Sequence, residues 1–130
     1  MFWRSDSTSE REERADCDDA TQCWLCRDDK VLASLEIPVD RRGKARGLLG
    51  RDSLDGAILL RPARSIHTIG MRFALDVALL DADNVVIKTL RVRRHRVTAP
   101  MWRAKSVLEA EAGAFHLWDL KIGDELEIRE

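Results

Sequence analysis

Apolar residues in this chain fall into short runs, separated by small clusters of polar and turn-forming residues. Most of the runs are too short for a helix and read as strands. In "CWLCRDDKVLASLEI" two such runs flank Asp28 and Asp29, which predicts a hairpin with strands over residues 22–27 and 30–37. Pro38 ends the second strand, because it cannot donate to a ladder and restricts the residue before it. "GAILLR" is a short buried strand closed by Pro62. "DVALLDADNVVIKTLRV" is the strongest hairpin in the chain, with two nearly continuous apolar strands joined through residues 81–84. "SVLEAEAG" predicts a further strand and "AFHLWDL" a short helix or turn. "DELEIRE" predicts a terminal strand with Leu126 and Ile128 facing inward.

Helical signal is sparse. In "DRRGKARGLLGRDSL" Asp40 can cap one or two turns with Ala45, Leu48 and Leu49 on one side, and three glycines limit the segment to that length. Six to eight short strands with one or two short helices define a β-rich α+β domain. It is expected as a compact, mostly antiparallel sheet or a partly closed barrel.

The chain has 130 residues, which suits one domain with one core. Residues 1–21 carry seven acidic and three basic side chains, a net charge of −4, whereas the remainder is net +3. A polar acidic stretch without apolar periodicity cannot offset its ordering entropy, so residues 1–20 are expected as a disordered tail and residues 21–130 as the domain. Phe2 and Trp3 are the exception in its polar sequence. No apolar run approaches the roughly 20 residues of a spanning helix. The N-terminal sequence also lacks the apolar centre of a secretory signal. Both observations lead to the expectation of a cytoplasmic protein without a membrane partner, with a monomer favoured.

Several separated motifs together resemble one family, the domain of unknown function 192. They are "RGLLGR" at residues 46–51, "HTIGMRFALDV" at 67–77, "LLDADN" at 79–84, "VLEAEAG" at 107–113 and "KIGDEL" at 121–126. The resemblance runs from Trp24 onward and implies a compact β-rich single domain, with no enzymatic activity that defines the family. Ala74 stands where the family usually has proline, which removes a rigid φ but keeps the site apolar. Cys23 and Cys26 gain no role from the resemblance.

Candidate chemistry is thin. Cys23 and Cys26 form a single C-x-x-C, and in a strand residues three apart point to opposite faces, so a structural role is expected, with Cys17 exposed and one of the others buried. His67 and Met71 would suit copper, but on an extended strand they stand about 13 Å apart, and neither a metal nor a cofactor is expected. Asp76 sits inside an apolar run and needs a partner, for which Arg72 and Arg51 are the expected candidates. The basic groups of "RVRRHR" would be split by strand alternation, with Arg91, Arg93 and His95 on one side and Arg94 and Arg96 on the other. With few aromatics, no tyrosine and a near-neutral pI, nucleic acid is not expected as a partner.

The leading expectation is a non-catalytic module that binds a small anionic ligand or peptide through His67, Thr68, Met71, Arg72, Arg46 and Arg51, because guanidinium forks suit carboxylate and phosphate. One alternative is a hydrolase-like enzyme in which His67 and Asp76 form an acid–base pair, which requires a bend or bulge near Gly70. Another is a scaffold presenting an edge strand to a partner chain.

Overall fold

The computed structural model describes residues 23–38 and 51–130. Seven strands and one short helix follow in the order β1 (Cys23–Arg27), β2 (Lys30–Glu36), β3 (Ala57–Leu60), β4 (Leu75–Leu80), β5 (Val86–Val92), β6 (Ser106–Glu111), α1 (Ala114–Trp118) and β7 (Glu127–Arg129). They form one sheet in the order β5-β4-β6-β3-β2-β1-β7. Every neighbouring pair is antiparallel except β2 with β3. The sheet is not closed. Its two edges approach at a single antiparallel bridge between Val85 and Glu125, where Val86 N–H donates to the Asp124 carbonyl at 2.9 Å. The acidic tail at residues 1–20, the short helix expected after Asp40, and Arg46 lie outside the described residues.

Both hairpins turn where the polar interruptions fall. Asp28 and Asp29 both adopt positive φ, the backbone of the tight turn whose twist matches its flanking strands. At the second hairpin, Asp81 Oδ1 accepts from the N–H groups of Asp83 and Val85 at 2.9 and 3.0 Å, and Asn84 takes the left-handed conformation. Gly56 has φ of 93°, and a Cβ there would lie 2.3 Å from Ser34 Oγ, so the start of β3 admits only glycine beside β2.

The sheet is covered on both faces. On one, α1 supplies Phe115 to a cluster that includes Leu25, Leu35, Leu59, Leu80 and Leu108. On the other, Leu54, Ile66, Met71 and Ala104 from connecting segments cover Ile58, Leu75, Val77 and Val107. This double cover explains why β3 and β4 are buried at every position, as strands in the middle of a layered sheet are. β5 is less apolar than its sequence suggests, because Lys88 and Arg91 stay exposed on an outer strand. Leu126 is buried and Ile128 half-buried against the α1-side cluster.

The cysteine expectation needs one correction. Both Cys23 and Cys26 are buried, since a register shift between Leu25 and Cys26 breaks strict alternation in β1. Burial pushes the Cys26 thiol above its usual range, against the partial pull of Arg129, which leaves it a poor nucleophile. No helix among the described residues is long and apolar enough to cross a membrane.

Candidate functional site

Thr68 is fully buried and organises a turn that lies beside Arg72, another of the expected site residues. Its N–H donates to the Arg96 carbonyl at 2.8 Å, and Arg96 N–H donates back to the Thr68 hydroxyl at 2.9 Å. That hydroxyl donates to the Arg93 carbonyl. The Thr68 carbonyl accepts from His95 N–H at 2.9 Å and from Met71 N–H at 3.1 Å. Gly70 N–H donates to His95 Nδ1 at 3.2 Å, and His95 itself has a φ of 61°. A β-branched hydroxyl residue thus satisfies the backbone of a tight turn that would otherwise bury unpaired polar groups.

The consequence is electrostatic. β5 stops at Val92, so the alternation expected to split "RVRRHR" ends there, and the chain turns at residues 94 and 95. Arg93, Arg94, His95 and Arg96 instead line one open cavity of about 350 Å³ with Arg72 and Phe73. Arg93 and Arg94 make no side-chain ion pair among the described residues. Arg96 folds back toward the Arg94 and His95 carbonyls, and Arg72 reaches Asp52 at 2.9 Å in an exposed pair. Guanidinium groups gathered with so little internal neutralisation suit a phosphate or carboxylate.

The remaining expected residues disperse. Met71 is buried in the cluster beneath the loops. Arg51 lies 3.4 Å from Glu36 in an exposed pair. His67 is exposed, bridges Val97 and makes no side-chain hydrogen bond among the described residues.

Asp76 is buried on the α1 face, and neither Arg72 nor Arg51 is its partner. Its Oδ1 accepts from Arg91 Nε at 3.0 Å, because the register places Arg91 directly opposite on β5. Its Oδ2 accepts from the N–H groups of Gly113 and Phe115 at 2.8 and 3.2 Å. A strand carboxylate therefore satisfies donors at the start of α1, whose own cap residue, Gly113, has no side chain to offer. With these contacts made, Asp76 has no hydrogen bond to His67, so the acid–base pair is not assembled.

One acid escaped the sequence reading. Glu109 pairs in register with Ile58 and Val77 on the loop-covered face, is 6% exposed and has no hydrogen-bond partner among the described residues. Burial raises its carboxyl from an ordinary 4.5 to about 7. In an alternating strand such a residue looks solvent-facing, and only the covering segments bury it. Two positions on, Glu111 stays half-buried and accepts Leu54 N–H at 3.0 Å, at the rim of a second cavity of about 540 Å³ that also touches Ser34, Gly56 and Trp118. Among the described residues no three His, Cys, Asp or Glu side chains gather to hold a metal ion.

A curled, two-sided β sheet with a threonine-braced basic turn is the class of domain these features define. The sequence profile of DUF192, described as an uncharacterised family (Uncharacterized ACR), matches residues 24–128, and the chain belongs to that family. Two solved structures share the fold. One, from Novosphingobium aromaticivorans and of unknown function, is 16% identical with a TM-score of 0.65 over 82% of this chain and 84% of its own. The other, from Sinorhizobium meliloti and described as "a putative transcription regulator", is 19% identical with a TM-score of 0.66 over 82% of this chain and 91% of its own. No curated protein matches the chain.

Proposed function

We propose that this protein is a non-catalytic binding module for a small anionic ligand, seated in the cavity of Arg72, Arg93, Arg94 and Arg96, with the cytoplasm as its compartment. The observation that carries the reading is the Thr68 network, which spends a buried side chain on holding a turn whose outward groups are three arginines. A backbone already fixed by these hydrogen bonds loses no further freedom when the arginines it carries bind an oxyanion, which lowers the cost of binding a small ligand. In this reading Arg72, Arg93 and Arg94 contact the ligand and Thr68 positions them. Met71 is packing beneath the site and His67 stands at its margin.

Calorimetric titration of the full chain with inorganic phosphate, pyrophosphate and citrate tests the proposal. Pyrophosphate is expected to bind with an affinity that falls as salt rises, and Arg93→Ala and Arg94→Ala each to weaken it about tenfold. His67→Ala is expected to change it less than about twofold. Failure of all three anions to bind, or equal binding by the arginine variants, would refute the reading. Duplex DNA belongs in the same titration, given how one structural relative is described. DNA binding in preference to pyrophosphate would replace the small ligand with a polymer.

A further inference from the structure

The basic turn is one end of a longer surface element. Residues 64–70 and 95–101 lie antiparallel as an irregular ribbon. Met101 N–H donates to the Arg64 carbonyl, Thr98 N–H to the Ile66 carbonyl and Thr68 N–H to the Arg96 carbonyl, and His67 bridges Val97. At 3.3 Å per residue the element runs about 20 Å along the surface. Ile66 and Thr68 point into the protein, which turns His67 and Ile69 outward by alternation.

Two properties of its outer side occur together. Residues 61–73 and 93–105 contain eight arginines and lysines and no aspartate or glutamate, in a chain that has 22 basic and 23 acidic residues as a whole. Along the same element Ile69, Val97 and Trp102 are 55%, 70% and 75% exposed. Ile69 and Trp102 occupy turns, and the Arg64 guanidinium stacks over the Trp102 ring at 5.6 Å. Apolar side chains this exposed project from the surface and do not line a groove. A peptide partner would have to bring pockets to receive them, and single-stranded nucleic acid would need free aromatic faces, whereas the ribbon offers one indole already covered by an arginine. A lipid headgroup layer accepts projecting side chains of any shape and supplies the phosphates that arginines bind.

We infer that this ribbon docks on an anionic lipid surface, with Ile69, Val97 and Trp102 entering the headgroup boundary while Arg93, Arg94 and Arg96 hold lipid phosphates. The inference rests on the anion-binding reading and names the source of the anion. The expectation of no membrane partner came from the lack of a spanning run, a criterion that does not bear on surface binding.

Co-sedimentation of the full chain with vesicles of phosphatidylcholine, with and without phosphatidylserine, tests it. The chain is expected to bind the mixed vesicles and not the neutral ones. Trp102→Ala should lower the partition coefficient about tenfold, and the combined Arg93→Ala, Arg94→Ala, Arg96→Ala variant about a hundredfold. Four tryptophans are present, so the fluorescence blue shift on binding is read as the difference between the unmodified chain and Trp102→Phe. These residues are exposed, and unchanged melting curves would show that the variants fold. Equal binding to neutral vesicles, or vesicle binding unaffected by Trp102→Ala and by Ile69→Ser with Val97→Ser, would overturn the inference. Pyrophosphate binding without vesicle binding would refute the membrane and leave the anion site standing, and loss of both would refute both.

Discussion

Two buried carboxylates sit on opposite faces of the same sheet, and their surroundings could hardly differ more. Asp76 faces α1 and has both carboxylate oxygens engaged, by one guanidinium and two backbone N–H groups. Glu109 faces the loop layer beside Ile58 and Val77 and engages nothing among the described residues. The first holds two elements together, because its removal strands the donors it serves. The second is carried at a cost, because an unpaired acid in an apolar layer must keep its proton or lose its hydration. A buried carboxyl without a hydrogen bond is uncommon in folded proteins, and here burial alone raises its pKa.

That contrast can be broken first at Asp76. Asp76→Ala is expected to cost about 4 kcal/mol in urea unfolding, since it leaves the Gly113 and Phe115 N–H groups and Arg91 unsatisfied together. Asp76→Asn keeps one acceptor for the helix donors and should cost about half as much. A loss below about 1 kcal/mol for the alanine variant would show that water replaces the carboxylate.

Glu109 should respond in the opposite sense. Its carboxyl is raised from 4.5 to about 7, so the folded state holds the proton more tightly than the unfolded chain. The stability this contributes is fully present below pH 4.5 and is lost as pH rises through about 7. The difference amounts to about 3 kcal/mol as an upper figure. Glu109→Gln is therefore expected to flatten the fall in stability between those values, and to exceed the unmodified protein at pH 8. Identical pH profiles for the two proteins would mean that the carboxyl is solvated.

Two smaller effects sharpen the comparison. Thr68→Val removes the hydroxyl that braces the basic turn, with an expected loss of about 2 kcal/mol. It should also weaken pyrophosphate binding, because the turn that carries Arg93 and Arg94 loosens. Arg91→Ala should cost less than about 1 kcal/mol, since its side chain is 58% exposed and solvent screens the pair with Asp76. If Arg91→Ala proved as damaging as Asp76→Ala, the ion pair and not the helix donors would be what Asp76 is kept for.

The fold was largely legible before the structure. The hairpins at Asp28–Asp29 and at residues 81–84, the strands at Ala57–Leu60 and Ser106–Glu111, and the helix at Ala114–Trp118 all follow local pattern, because turn residues and alternation act within a few positions. The site was less legible. Asp76 was visible as a polar residue in an apolar run, but its partner Arg91 is set by the β4–β5 register and not by proximity to Arg72 in the chain. The arginines at 93, 94 and 96 were visible as a run, yet strand alternation carried past Val92 separated groups that the turn brings together.

What the sequence determined by itself is the set of strands and turns and the presence of surplus positive charge outside the first 21 residues, since each depends on near neighbours or on composition alone. Which face of each strand meets protein and which meets water was decided only by the tertiary structure. A sheet with one open face would have left Glu109 in solvent and unremarkable. Segments at residues 51–56, 61–74 and 97–105 close that face, and burial of an acid depends on what packs over it from distant parts of the chain.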